Sequence, residues 1–211
     1  MAIYDNNGTA NTENGKVYDN NGTTNSQIGK VYDNNGTTNS LLYSAVEPIT
    51  IIPDATNYPA SKYTLIYRNT SDVNNPSGHS NGYYNTSVSY SGNALYVFTR
   101  NMAQCLSGAY IPITIDGHKH FTVTGYTQDP SDDVQSLIKV VPAVTYSNIV
   151  NGIGYAYSHP DDSAGVTISG TYDISSLGDG TAYLFIGTKA LSAGQSLRAC
   201  KTYITGFTLT E

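Results

Sequence analysis

This sequence predicts an all-β protein in two parts: a short-repeat β stalk over residues 1–44 and an antiparallel β-sandwich over residues 45–211. Three observations predict it. The first 44 residues hold three tandem copies of a 14-residue unit, Ile3 to Lys16, Val17 to Lys30 and Val31 to Ser44. Only 12% of residues are charged, while the chain carries 19 Tyr and 20 Gly, a composition that favours strands and turns over helices. From Leu41 onward, apolar runs of strand length alternate with turn residues, the spacing of a sandwich.

The repeats come first in the chain. Each opens on an aliphatic residue followed by Tyr-Asp-Asn-Asn-Gly-Thr, and Val17 to Ser26 is identical to Val31 to Ser40. One conformation is therefore expected to be used several times. Asn-Gly supplies positive φ for a turn, and the flanking Val-Tyr and Thr-Thr are expected as strand ends. The apolar positions of the second unit are only Val17, Tyr18 and Ile28, too few to offset the entropy of ordering 14 residues. A unit that folds must borrow a neighbour, either the next repeat or another chain. The alternative is a flexible Asn/Gly/Thr-rich linker. Asn14, Ile28 and Leu42 occupy equivalent positions, so apolar character grows toward the sandwich. No bidentate Glu recurs to complete a calcium loop. The Asn-Gly-Thr and Asn-Thr-Ser sequons read as turn chemistry in the absence of a secretory leader at Met1 to Asp5.

In the second part, Tyr63 to Tyr67 and Leu95 to Thr99 are expected strands, separated by the breaker Asn74-Asn75-Pro76-Ser77-Gly78. Tyr110 to Ile115, an Asp116-Gly117 turn and Phe121 to Tyr126 read as a hairpin. Further strands are expected at Leu137 to Val141, Gly154 to Tyr157, Val166 to Ile168, Tyr183 to Ile186 and Tyr203 to Leu209. About ten strands with no helix imply two packed antiparallel sheets.

The run Tyr110-Ile-Pro-Ile-Thr-Ile-Asp-Gly-His-Lys-His-Phe-Thr-Val-Thr-Gly resembles the strand, turn and strand of jelly-roll carbohydrate-binding modules. Tyr172 to Leu177, Ala182 to Gly187 and Tyr203 to Leu209 are similar to their closing strands. With the repeats in front, the layout resembles bacteriophage fibre and receptor-binding proteins. That resemblance implies a jelly-roll-like head on a slender shaft, a homotrimer, and a virion structural protein made in the host cytoplasm that contacts host-surface glycans. The alternatives are a carbohydrate-binding module or adhesin domain acting extracellularly or at a cell surface, and a subunit of a self-assembling extracellular filament.

Candidate chemistry is sparse. His118 and His120 stand two apart where a strand would point both imidazoles one way, a metal-binding pattern, and phage fibres resembling this layout use it on a three-fold axis. Two exposed histidines after a turn are the simpler account. For a glycan, the candidates are aromatic residues among polar neighbours, Tyr83, Tyr84 and Asn85 in one cluster and Tyr155, Tyr157 and His159 in another. The acidic pairs Asp132-Asp133 and Asp161-Asp162 lie in loops, and no nucleophile elbow, phosphate loop or zinc-ligand cluster is present, so no enzyme and no cofactor are expected. A net charge of -6 and a pI near 5.0 argue against a nucleic-acid partner, and no apolar run is long enough for membrane insertion. The expected partners are other copies of the chain, through residues 1–44, and a glycan. Cys105 and Cys200 could pair, or remain two buried free thiols as a reducing compartment favours.

Overall fold

The computed structural model describes residues 46–68, 85–101, 105–159, 165–191 and 198–211 in full, and the backbone of five strands within residues 12–44. The chain divides into two compact units, Met1–Glu47 and Pro48–Glu211.

In the first unit, β1 (Thr12–Glu13), β2 (Lys16–Asn20) and β3 (Asn25–Gln27) form a three-stranded antiparallel sheet, and β4 (Lys30–Asn34) pairs with β5 (Asn39–Ser44). β2 pairs with β3 and β4 with β5; the expected Asn-Gly turns between them lie outside the described residues.

The second unit is an antiparallel sandwich. One sheet runs β13 (Ile153–His159), β12 (Val134–Val141), β15 (Thr181–Ala190), β10 (Leu106–Thr114), β7 (Thr64–Arg68). The other runs β14 (Thr167–Asp173), β11 (His120–Gln128), β16 (Arg198–Thr210), β9 (Ala94–Asn101), β8 (Asn85–Ser91), with β6 (Ile49–Ile52) beside the C-terminal half of β16. Alternate residues face inward, and Leu95, Val97, Ile111, Phe121, Val123, Ile138, Leu184, Ile186, Ile204 and Phe207 build the main core. Phe121 stacks on Tyr172 and Phe207, with centroids 5.0 and 4.9 Å away.

The five-stranded sheet buries its outer face as well. Ile66, Leu106, Leu137, Val141 and Phe185 cluster there with Ile149 of a short helix, α1 (Tyr146–Asn151). No helix was expected from the sequence. Its N-cap explains its start, because the Thr145 hydroxyl accepts from the Asn148 N–H at 3.1 Å.

The expected hairpin at Asp116-Gly117 is a corner instead. β10 belongs to the five-stranded sheet and β11 to the six-stranded one, so these strands do not pair. Both bury their apolar alternates, Ile111 and Ile113 on one and Phe121 and Val123 on the other, in the same core, which puts them on opposite layers. Neighbouring loops hold the corner. Gly117 N donates to Asp179 Oδ1 (2.8 Å), Gly180 N to Asp116 Oδ1 (2.6 Å) and Ile115 N to Gly180 O (3.0 Å). Gly117 takes φ 71° there, a value glycine adopts without strain. Strands β6 and β8 were not foreseen, and β14 begins at Thr167, where a strand was expected from Val166.

Candidate functional site

The outer face of the six-stranded sheet is unlike the outer face of its partner. Its residues are half-buried or exposed, and most are hydroxylated or aromatic, with Asn85, Arg100, Gln128, Lys201 and Asp173 toward the ends of the strands. The register aligns them in rows across the strands. One row reads Thr167, Tyr126, Tyr203, Tyr96, Ser89 across β14, β11, β16, β9 and β8. A second reads Thr171, Thr122, Thr208, Thr50 across β14, β11, β16 and β6. Between them Thr124 Oγ1 lies 3.1 Å from Thr205 Oγ1, beside the bulge at Thr124/Gly125.

The three tyrosines are in contact. Tyr126 stacks on Tyr203 with centroids 4.7 Å apart and an interplanar angle of 10°, and Tyr96 meets Tyr203 at 5.0 Å and 44°. Coplanar rings side by side would clash at that spacing, so the rings overlap face to face and stand up from the sheet. The row thus presents ring edges and phenol hydroxyls along its length. Burial, and next the neighbouring Tyr203, push the Tyr96 phenol above its ordinary value of 10.0, so it stays protonated and able to donate. At one flank, Lys201 Nζ donates to Asp129 Oδ2 at 2.5 Å, and this bond holds the ammonium pKa above its usual range. Cross-strand spacing of ~4.8 Å makes the row from Ser89 to Thr167 about 19 Å long.

Of the residues singled out in the sequence, Tyr83 and Tyr84 lie outside the described residues, as do Asp161 and Asp162. Asn85 opens β8 and is exposed, paired in register with Arg100 on the same open face. Tyr155 and Tyr157 lie on the strand expected there, β13, which runs on to include His159. Tyr155 packs half-buried against the core, and burial pushes its phenol up to about 12. His159 is 1% exposed, with Nε2 2.9 Å from Ser136 Oγ; Tyr157, 38% exposed, is the most open of the three. His159 lies on the same side of β13 as Tyr157, and the two rings meet edge to face with centroids 5.0 Å apart.

The two histidines proposed for metal do not share a strand. β11 begins at His120, whereas His118 belongs to the corner, buried, with its backbone N–H donating to Ile115 O. His120 Nδ1 lies 3.2 Å from the Glu211 carbonyl oxygen. No group of three or more His, Cys, Asp or Glu side chains among the described residues is placed to hold a metal ion. Asp133 pairs with Arg198 at 3.5 Å, so this acidic loop residue serves to tie the β11–β12 turn to β16. Cys105 and Cys200 are both free and buried, and burial raises both thiols above their ordinary value. No helix among the described residues is long and apolar enough to cross a membrane.

Sequence reasoning missed the tyrosine row. Its signal was present in Leu95-Tyr96-Val97, Gly125-Tyr126-Thr127 and Thr202-Tyr203-Ile204, each a tyrosine in the solvent phase of an alternating strand, but only the register unites them.

No family model matches the chain, and no curated protein matches it. Among solved structures, it is similar to a family 11 carbohydrate-binding module from Clostridium thermocellum in complex with a β-1,3-1,4-mixed-linked tetrasaccharide, with TM-score 0.40 and 14% identity over 79% of this chain and 97% of that one. It is also similar to a CBM4 structure, with TM-score 0.36 and 12% identity over 68% and 90%. A family 29 carbohydrate-binding module complexed with cellulohexaose gives 0.33 and 12% over 70% and 89%. At that level of likeness nothing of their ligands or binding residues carries over to this chain.

Proposed function

We propose that the sandwich is a non-catalytic carbohydrate-binding domain that takes a glycan across the open face of the six-stranded sheet. The observation that carries this reading is the Tyr126–Tyr203–Tyr96 row, aligned by register on a face that α1 does not cover and bordered by hydroxyl rows. A sugar offers apolar C–H faces and a fringe of hydroxyls; the ring faces left uncovered at the ends of the row meet the first, and Ser, Thr and Tyr hydroxyls meet the second. On this reading the domain works outside the cell or at a surface, with residues 1–44 as an assembly segment. A second reading, a virion fibre or spike that uses the same face on host glycans, rests on the tandem 14-residue repeats of the sequence alone. Finding the chain by mass spectrometry in purified particles would decide for it.

Affinity electrophoresis against a panel of plant and bacterial polysaccharides tests the site. Retardation by at least one glycan is expected, and Tyr203→Ala is expected to lower its affinity roughly tenfold, ~1.4 kcal/mol. Tyr126→Ala, at a residue 38% exposed, provides the variant least able to disturb folding. Binding unchanged in both folded variants, or no glycan bound at all, refutes the site.

A further inference from the structure

The tyrosine row constrains how a bound sugar can lie. Tyr126 and Tyr203 overlap face to face, with centroids 4.7 Å apart and planes 10° from parallel. That separation is close to the ~4.8 Å between neighbouring strands, so the normals of the rings run across the strands. Tyr203 covers one face of Tyr126. The other face looks over β14, where the register partner is the short side chain of Thr167, and Tyr126 is 38% exposed. Tyr96, at the opposite end of the row, is half-buried. A sugar packs its C–H face on an aromatic face. A pyranose stacked on Tyr126 therefore stands upright on the sheet, with its ring plane parallel to the strands.

We propose that the glycan is an extended, uncharged chain that runs along β11 and β14, one sugar stacked on Tyr126, and does not cross the strands. In an equatorially linked chain the axis lies in the mean plane of the rings. A chain stacked on Tyr126 and crossing the strands would have to pass through the standing tyrosines. Along the strands its path is open, over the register pairs Tyr126–Thr167, Thr124–Ser169 and Thr122–Thr171. Thr167, Ser169, Thr171 and Thr124 are exposed and Thr122 is half-buried, so the lower edge of each upright sugar sets its hydroxyls against theirs. β14 is the last strand of its sheet, and no further strand of the sheet walls that side. The six residues from Tyr126 back to His120 give the path a length of about 20 Å. Phe121 to Tyr126 on β11 and Thr167 to Tyr172 on β14 include no charged residue. A chain with a charge on its sugars would lose hydration there without meeting a counter-charge, and at the Tyr126 end Lys201 is already engaged by Asp129. This inference rests on the reading of the face as a glycan site and adds the axis and charge of the ligand.

Affinity electrophoresis of the full-length protein in gels containing hydroxyethylcellulose, glucomannan or arabinoxylan, and in gels containing polygalacturonate or alginate, tests it. Retardation by at least one uncharged polymer and by neither acidic one is expected. Thr171 lies four residues along β14 from the tyrosine row, about 14 Å, out of reach of a chain lying across the strands. With the retarding polymer, Ser169→Ala combined with Thr171→Val is expected to weaken binding roughly fivefold to tenfold, the effect of losing one or two hydrogen bonds. Ser87→Ala combined with Ser89→Ala removes two exposed hydroxyls at the opposite edge of the face and is expected to leave binding unchanged. Binding that ignores the 169/171 pair, falls as much with the 87/89 pair, or goes to an acidic polymer overturns the placement along the strands; if Tyr203→Ala still weakens it, the glycan reading stands. No retardation by any polymer, or none that responds to Tyr203→Ala, overturns both.

Discussion

His159 is an imidazole held where its charge has no partner. It is 1% exposed, its Nε2 is engaged by Ser136, and its Nδ1 has no hydrogen-bond partner. Burial lowers its pKa from the ordinary 6.5, so below that value the unfolded chain binds a proton that the folded one refuses. Stability is then complete above pH ~6.5 and declines as pH falls toward the folded pKa, by at most about 1.4 kcal/mol per pH unit. Urea melts at pH 7.5 and 5 are expected to show that loss, and His159→Gln to reduce it; an unchanged slope in the variant would sink the assignment. Asn101 is the second residue of this kind. Its side-chain amide donates to Cys105 O and Thr188 O at 3.1 Å and to Thr188 Oγ1 at 3.3 Å, tying β9 to β15 across the core. Asn101→Ala removes those bonds, although Cys105 O keeps the Ala190 N–H and Thr188 Oγ1 keeps the Thr99 hydroxyl, and is expected to cost about 1–3 kcal/mol in a chemical melt. Neither role could be read from residue type, since an Asn or a His in a strand is ordinarily a surface residue.

At the scale of elements, the five-stranded sheet depends on close approach between β10 and β15. Gly108 and Gly187 are register partners, and Phe185 lies against both: a Cβ at either would come within 2.7 Å of its ring. Gly187→Ala would also run into the Ser107 carbonyl. A loss of about 1–3 kcal/mol is expected, measurable as a lower urea midpoint, and a neutral result would mean the sheet can spread. Strand identity was legible here, because Ala182-Tyr-Leu-Phe-Ile-Gly has the length and composition of a buried strand. Strand partnership was not. Asp116-Gly117 carries a hairpin signature, yet five residues, Ile115 to Lys119, separate β10 from β11, and the capture of the corner by Asp179 and Gly180 depends on a loop more than sixty residues away.

For the molecule as a whole, the two units are expected to be separable. Deleting residues 1–44 keeps β6, whose Ile49, Thr50 and Ile52 pair with Leu209, Thr208 and Phe207, and Ile51 and Ile52 are fully buried. The truncated sandwich is therefore expected to retain its circular dichroism spectrum and melt cooperatively while losing self-association. Deleting residues 1–52 removes that strand and is expected to lower the melting temperature by several degrees or more; equal melting of the two truncations would show β6 to be dispensable. By itself the sequence determined the all-β class, the 14-residue periodicity and most strands of the sandwich, because these follow from local propensity and from alternation along the chain. Only the tertiary structure decided which strands share a sheet, which face α1 covers, that His159 points inward, and that Tyr96, Tyr126 and Tyr203 form one row. The physical reason is that register and layer are fixed by contacts between residues far apart in sequence: Tyr203 meets Tyr96 and Tyr126 solely because β16 lies between β9 and β11, and no local signal carries that placement.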